Sequence, residues 1–245
     1  MGSKGEIRER IWSLMEREGI SRPPLPIRHR IPNFAGAERA AERLGEVRAF
    51  RAAEVVKVNP DSPQSPVRKL ALSAGKLLIM PTPRLRRGFL AIDPKRLPKG
   101  ALGMAASISG AFKFGRELDL ERAPRIDFIV AGSVAVAPDG SRLGKGGGYS
   151  EIEYGILWEL GLIDEGTPIA TTVHEAQIVE GIPMEDHDLT VDYIATPLRV
   201  LETHANRPMP KGIMWHKLPK GALEGIPLPS WLKSGATRRA DKRRP

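Results

Sequence analysis

The sequence contains no cysteine, which excludes disulfides, a thiolate nucleophile and a zinc-thiolate centre. Aromatic residues make up only 5% of its 245 positions, so the interleaved aromatics of an RNA-recognition sheet are missing. No uninterrupted apolar run approaches the roughly 20 residues that a helix needs to cross a bilayer. The polar, helix-forming N-terminus lacks the apolar core of a secretory signal. These absences lead to the expectation of a cytoplasmic protein with no membrane partner. No internal repeat is visible.

Acids are the minority among the charged residues, 29 against 38 bases, for a formal net charge of +9. Residues 233–245 hold six bases and one acid, so this stretch carries five of the nine units. What remains on the body is modest and suits a phosphate-bearing small molecule as well as it suits nucleic acid. Hydrophobic content of 41% and charged content of 27% are ordinary for a globular chain.

The periodicity alternates between short apolar runs and helical segments, the pattern of β-α-β units around a largely parallel sheet. Helices are predicted over Lys4–Glu18, Ala35–Ala49, Pro66–Ser73 and Glu151–Leu160. Strands are predicted over Val55–Val58, Lys76–Met80, Phe89–Ile92, Ile126–Val130, Val134–Ala137, Ile169–Val173 and Val191–Ala195. Segment 21–33, with prolines at 23, 24, 26 and 32, can be neither regular helix nor central strand. We read residues 1–203 as one α/β domain, 204–232 as a Pro-rich extension wrapping it, and 233–245 as a basic tail.

Residues Arg142 to Tyr149, Arg-Leu-Gly-Lys-Gly-Gly-Gly-Tyr, place four glycines and two cations just ahead of a predicted helix. Glycine reaches positive φ at little steric cost, so successive N–H groups can converge on one anion, and the helix adds its free N–H groups. A flexible surface loop is the alternative that this stretch alone leaves open. Lys4 and Arg8 stand at i and i+4 on one helical face, as a solvated pair or as phosphate ligands. Ser150 and Glu153 form the Ser-x-x-Glu spacing of a helix capping box. His174-Glu175 has no second histidine at helical spacing, so a zinc-protease pattern is absent. Arg84, Arg86, Arg87, Lys95, Arg96 and Lys99 make a second basic stretch, either a solvated face or a contact for a polyanion.

Taken together, Lys4-x-x-Ile7-Arg8, the 142–149 loop and Ile182-Pro183-x-Glu185-x-His187-Asp188 resemble the 5-formyltetrahydrofolate cyclo-ligase family, also called methenyltetrahydrofolate synthetases. The resemblance runs in order over about residues 4–197. Four further stretches look closest to the branch of methenyltetrahydrofolate synthetase domain-containing proteins: Arg28–Phe34, Val58–Asp61, Pro81–Leu85 and Gly144 through Tyr154. Animal members of that branch carry an RNA-recognition domain after this region.

The resemblance implies a three-layer, Rossmann-like α/β fold with the mostly parallel sheet shared by certain isomerases and CoA transferases. It also implies an ATP- and Mg2+-dependent ligase that closes 5-formyltetrahydrofolate, or a related formyl pterin, to the 5,10-methenyl form. By the motif match, Lys4, Arg8, Gly144, Gly146, Gly147 and Gly148 would bind ATP. Arg142 and Lys145 would flank the phosphates as catalytic cations, and Tyr149 would lie against nucleotide or pterin. Glu151 and Asp188 would hold the metal, with Glu151 standing where the family usually has aspartate. Asn59 would contact the pterin where family enzymes commonly carry a glutamate, and an amide lacks that charge. A second reading is a nucleotide- or pterin-binding protein without turnover, with weak RNA contact through the basic surface and tail. Oligomeric state is not legible.

Overall fold

A computed structural model gives the structure of the chain, and it describes residues 2–204, 208–217, 225–230 and 232. Helix α1 (Lys4–Arg17) is followed by two short strands, β1 (Ser21–Arg22) and β2 (Asn33–Phe34), that pair antiparallel. Then come α2 (Ala37–Glu46), α3 (Arg48–Ala52), β3 (Val55–Val58), α4 (Ser65–Ser73), β4 (Leu77–Pro81) and β5 (Phe89–Ile92). The middle of the chain adds α5 (Leu102–Ala105), α6 (Ile108–Phe114), β6 (Arg116–Glu117) and β7 (Phe128–Val130). A hairpin of β8 (Ala135–Val136) and β9 (Arg142–Leu143) precedes α7 (Tyr149–Glu159). Strands β10 (Ile169–Thr172), β11 (Tyr193–Ala195) and β12 (Val200–Glu202) complete the order.

Eight strands form one sheet in the order β12-β11-β10-β7-β3-β4-β5-β6. The five from β11 to β4 run parallel, and antiparallel strands close both edges. Strand alternation assigns the two faces. Val56, Val58, Leu78, Met80, Phe128, Val130, Ala170 and Ala195 pack with Leu44, Phe50, Val67 and Leu72 from α2, α3 and α4. Ile79, Ile129, Ile169 and Ile194 point the other way, onto Ile152, Ile156 and Leu157 of α7. The result is the expected three-layer α/β fold with a mostly parallel sheet.

The two-residue period has one polar consequence. Lys57 lies between Val56 and Val58, so it must face α7, and in register it neighbours Ile79 and Ile129. A third cluster seats α1 through Ile7, Ile11, Trp12 and Met15 on the β8-β9 hairpin and the prolyl segment that supplies Ile27 and Ile31. Trp12, on the same stripe as Lys4 and Arg8, is buried and donates its indole N–H to the Arg30 carbonyl. No helix among the described residues is long and apolar enough to cross a membrane.

Several sequence expectations need correction. The helix expected over 35–49 breaks at Val47, whose extended backbone (φ −63°, ψ 126°) separates α2 from α3. Val134–Ala137 does not join the main sheet, because the Pro138-Asp139-Gly140 turn folds it back on Arg142–Leu143. Phe89–Ile92 is antiparallel to its neighbour. The structure adds strands β1, β2, β6, β9 and β12 and helices α5 and α6 to those expected from the sequence. The basic tail at 233–245 lies outside the described residues.

Ile213, Ile226, Leu228 and Leu232 of the extension are buried in the cluster under α7. The fit is closest at Gly155, where an added Cβ would stand 2.9 Å from the Cα of Ile213. Because that neighbour is backbone, it cannot yield as a flexible side chain would. Gly155→Ala is therefore expected to cost about 1–3 kcal/mol in denaturant unfolding. An unchanged midpoint would mean that 212–214 does not press on α7 in solution.

Candidate functional site

A cavity of about 1000 Å³ opens where the parallel strands end, the position at which open α/β sheets bind ligands. Its floor comes from the residues that follow β3 and β4, Asn59 to Ser62 and Thr82 to Arg84. One wall is the glycine loop with the first turn of α7, and another is the face of α1 that carries Lys4 and Arg8. The mouth is bounded by the Pro24–Ile31 segment and by Ile108 of α6. Two lining residues, His29 (φ 61°) and Arg84 (φ 55°), hold left-handed backbone without being glycine, a strain that persists where surrounding structure enforces it.

The glycine loop takes its shape from Gly146 (φ 99°) and Gly148 (φ 67°), both in backbone that a side chain resists. Gly148 also caps α7, whose first N–H groups therefore face the cavity without a side-chain cap. The expected capping box is not formed. Ser150 Oγ accepts from Arg142 Nη2 at 3.1 Å and lies 3.4 Å from Asn59 Nδ2, while Glu153 turns down to Lys57. The physical reason is that α7 starts at Tyr149 with Gly148 as its N-cap, so Ser150 already stands inside the helix and Glu153 meets the buried ammonium of Lys57 instead.

Arg142 is buried, and its guanidinium makes four hydrogen bonds. Nε and Nη2 donate to the Gly132 carbonyl at 3.1 and 2.8 Å, and Nη1 meets Glu151 Oε1 at 2.9 Å. The side chain thus ties the end of β7 to the start of α7. Arg142, expected beside the phosphates, lines the cavity and is held there by its contacts to Gly132, Ser150 and Glu151. Glu151, expected at a metal, is held in that ion pair.

The other cations are less committed. Arg8 Nε donates to the Gly144 carbonyl at 2.8 Å, joining residues 136 positions apart. Burial pulls its guanidinium below its ordinary range, while Asp188 and Glu151 act in the opposite sense. Lys4 Nζ lies 2.5 Å from Asp188 Oδ2 and 3.4 Å from Glu185 Oε1. Glu185 also receives Lys217 at 3.3 Å, and hydrogen bonds from Lys217 and Lys4 hold its carboxyl below the usual range. Lys145 Nζ pairs with Asp61 Oδ1 at 3.0 Å. The His187 ring stands 3.8 Å from both Glu185 and Asp188, with its Nδ1 buried and unpartnered.

All the residues expected from sequence to bind ligand, namely Lys4, Arg8, Asn59, Arg142, Gly144 to Tyr149, Glu151 and Asp188, line this one cavity. Among the described residues no group of three His, Asp or Glu side chains forms a ready metal site. Of the second basic stretch only Arg84 lines the cavity; Arg87 and Arg96 pair with Glu117 and Asp93 at the surface. His174 caps the turn at Glu175–Gln177 and packs edge-on against Phe34.

Sequence reasoning missed two buried cations. Lys57 Nζ donates to Asn59 Oδ1 at 2.8 Å and to Glu153 Oε2 at 2.5 Å. Burial pushes the Glu153 carboxyl up, and Lys57 opposes that shift. Arg68 donates to the carbonyls of Asn59, Asp61 and Ala106 at 2.5, 3.0 and 2.6 Å. Burial pulls it down to about 10. A lone lysine inside Val-Val-Lys-Val was the available signal for the first, whereas nothing local marks the second.

The sequence pattern shared by the 5-formyltetrahydrofolate cyclo-ligase family matches residues 1–197. The chain is 46% identical over 231 residues to a methenyltetrahydrofolate synthase domain-containing protein of Mus musculus, covering 92% of this chain and 62% of that protein. The corresponding protein of Homo sapiens is 41% identical over the same length, covering 60% of it. The chain thus spans about three fifths of these relatives. Among solved structures, 5,10-methenyltetrahydrofolate synthetase of Aquifex aeolicus has a similar fold, with a TM-score of 0.50 and 22% identity, covering 84% of this chain and 96% of that one.

Whichever ligand enters, the floor depends on Arg68. Arg68→Met would remove its hydrogen bonds from three carbonyls, of which that of Asp61 keeps the Gln64 N–H, at a cost of about 2–5 kcal/mol in chemical unfolding. Arg68→Lys, which cannot fork between them, should recover only part of that loss.

Proposed function

The chain belongs to the 5-formyltetrahydrofolate cyclo-ligase family, and we propose that it performs an ATP-dependent closure of 5-formyltetrahydrofolate, or a related formyl pterin, to the 5,10-methenyl form. The observation that carries this reading is the convergence of α1 and the glycine loop, joined by Arg8 and the Gly144 carbonyl, on a cavity whose floor is Asn59.

In this reading the formyl oxygen attacks the γ-phosphorus and ADP departs. The neighbouring amine then closes on the activated carbon, losing its proton to solvent, and phosphate leaves. Such a reaction needs no protein nucleophile, only alignment and neutralised charge. Gly146, Gly147 and Gly148 offer N–H groups to the phosphates, and Lys4, Arg8 and Lys145 offer charge. To do so, Lys4 and Lys145 exchange Asp188 and Asp61 for phosphate oxygens. Both pairs are part-buried, with Lys145 the more open of the two cations, so the exchange replaces one charge-assisted contact by another. Arg142 keeps the loop and α7 in register. Asn59 and Tyr149 flank the pterin.

We extend the proposal to magnesium, although among the described residues no three carboxylate or imidazole groups form a ready site. Asp188 and Glu151 both act on Arg8, so phosphates drawn to Arg8 would meet two carboxylates, a conflict that a divalent cation resolves. Glu151 and Asp188 would hold the ion, which would supply charge neutralisation between them and the phosphates.

Two observations favour a second reading, binding without turnover: Glu151 is already engaged by Arg142, and Asn59 brings no charge. RNA contact belongs to that reading and rests on basic surface charge, with Arg87 lying over the ring of Phe112.

Purified protein with ATP, Mg2+ and 5-formyltetrahydrofolate should yield methenyl absorbance and ADP in equal amounts. ATP binding without product above a no-enzyme control would favour the second reading. Lys4→Ala and Arg8→Ala should each weaken ATP about 10- to 100-fold, the loss of one charge-assisted contact. Glu151→Gln should lower turnover more than it lowers ATP affinity.

A further inference from the structure

The Lys57–Glu153 pair is where the molecule does something that packing does not demand. Lys57 and Glu153 are 2% and 4% exposed, on a sheet face otherwise given to Ile79 and Ile129. Apolar residues of equal volume would serve stability at least as well there, because burying two charges costs what their attraction returns. The pair reaches the cavity floor on one side. Glu153, Asn59 and Ser150 all line it, whereas Lys57 does not.

The donors and acceptors left over are specific. Lys57 occupies Glu153 Oε2 and Asn59 Oδ1. Among the described residues nothing donates to Glu153 Oε1. With its oxygen taken by an ammonium, the Asn59 amide has only one sensible orientation, NH2 toward Ser150 Oγ at 3.4 Å. The floor therefore presents an anchored carboxylate with one open oxygen, and beside it an amide NH2 and a hydroxyl. Since Lys57 balances Glu153, the floor is neutral overall and suits a neutral heterocycle rather than a cation.

We propose that Glu153 is the specificity-determining residue for the pterin: its open oxygen accepts an N–H from the ring's 2-amino-4-oxopyrimidine edge. Lys57 is a positioning residue that aims this carboxylate and fixes the Asn59 amide. The inference rests on the pterin-ligase reading. The charge that Asn59 lacks on the strand is supplied from helix α7, one turn beyond Ser150. A ring without donors at that edge would bury the open oxygen unpaired, and such sites reject the deficient analogue strongly.

The test measures binding apart from turnover. The parent protein, Glu153→Gln and the double variant Lys57→Met/Glu153→Leu are titrated with 5-formyltetrahydrofolate, with its 2-desamino analogue and with ATP, and their thermal unfolding is followed. The double variant removes both charges together, so no unpaired lysine remains. It is expected to unfold near the parent temperature and to bind ATP within about threefold of it, with 5-formyltetrahydrofolate weakened about 100-fold or more. Its preference for the 2-amino compound over the analogue should vanish, an effect that a merely structural pair would not produce. Should the double variant not fold, Glu153→Gln decides, with an expected loss of about tenfold in pterin affinity at unchanged ATP affinity. Pterin binding and discrimination equal to the parent in the folded variant would overturn the proposal. A parent that binds the pterin but forms no product would overturn the ligase reading alone; a parent that binds no pterin would overturn both.

Discussion

Three cations are buried beneath the cavity, and each can stay there only if its donors are satisfied. Lys57, Arg68 and Arg142 are all 3% exposed or less. An unpaired charge at that depth would cost far more than a domain can spare. Their acceptors therefore dictate what surrounds them. Arg142 requires the Gly132 carbonyl and Glu151, and so fastens α7 to the end of β7. Arg68 requires three carbonyls, and so fixes the loop after β3 against α5. Lys57 requires Glu153 and Asn59, and so joins β3 to α7. Loops that would otherwise be free at the ends of the strands become walls.

This separates two kinds of charge in one cavity. Buried cations are committed to the scaffold and cannot be exchanged without unfolding something. Lys4, Lys145 and Arg8 lie nearer the solvent. Their partners are Asp188, Asp61 and the Gly144 carbonyl; under the proposed function an anion would take the place of those contacts. The same carboxylates also prevent the cluster from repelling itself. Positioning and ligand exchange are thus assigned to different residues, although the sequence shows only lysines and arginines.

The fold was largely legible because the sheet's apolar alternation is strong: Val55–Val58, Phe89–Ile92 and Ile169–Thr172 stand out as short β-rich runs between helical segments. What was not legible depends on context. Val134–Ala137 is as apolar as a sheet strand, and only the turn that follows sends it into a hairpin. The ends of α2 and α3 depend on the extended backbone of one valine, Val47. In the site, glycines and motif cations were readable since their chemistry shows in residue type and spacing. Arg68 and the Lys57–Glu153 pair were not, because each acts through partners that only the folded sheet brings near. Ser150 and Glu153 illustrate the limit most clearly. Their spacing fits a capping box, but a lysine 93 positions before Ser150 redirects the glutamate.

The residues beyond the family match also bear on the site. The match ends at residue 197, yet residues 208–217 lie against α7, the helix that carries Ser150, Glu151 and Glu153. Ile213 closes over Gly155, and Gly212 approaches Glu159 so closely that a Cβ there would come within 2.7 Å of its carboxylate. Four residues later Lys217 reaches Glu185, the carboxylate that Lys4 also contacts. One short stretch therefore presses on the back of the helix whose front forms the cavity and adds a cation to the acidic cluster at its rim. Under the proposed role of Glu153, rotation of this helix would displace the open carboxylate oxygen from the cavity floor. The segment that prevents α7 from turning is as much a part of the site's geometry as the glycines at the helix's start.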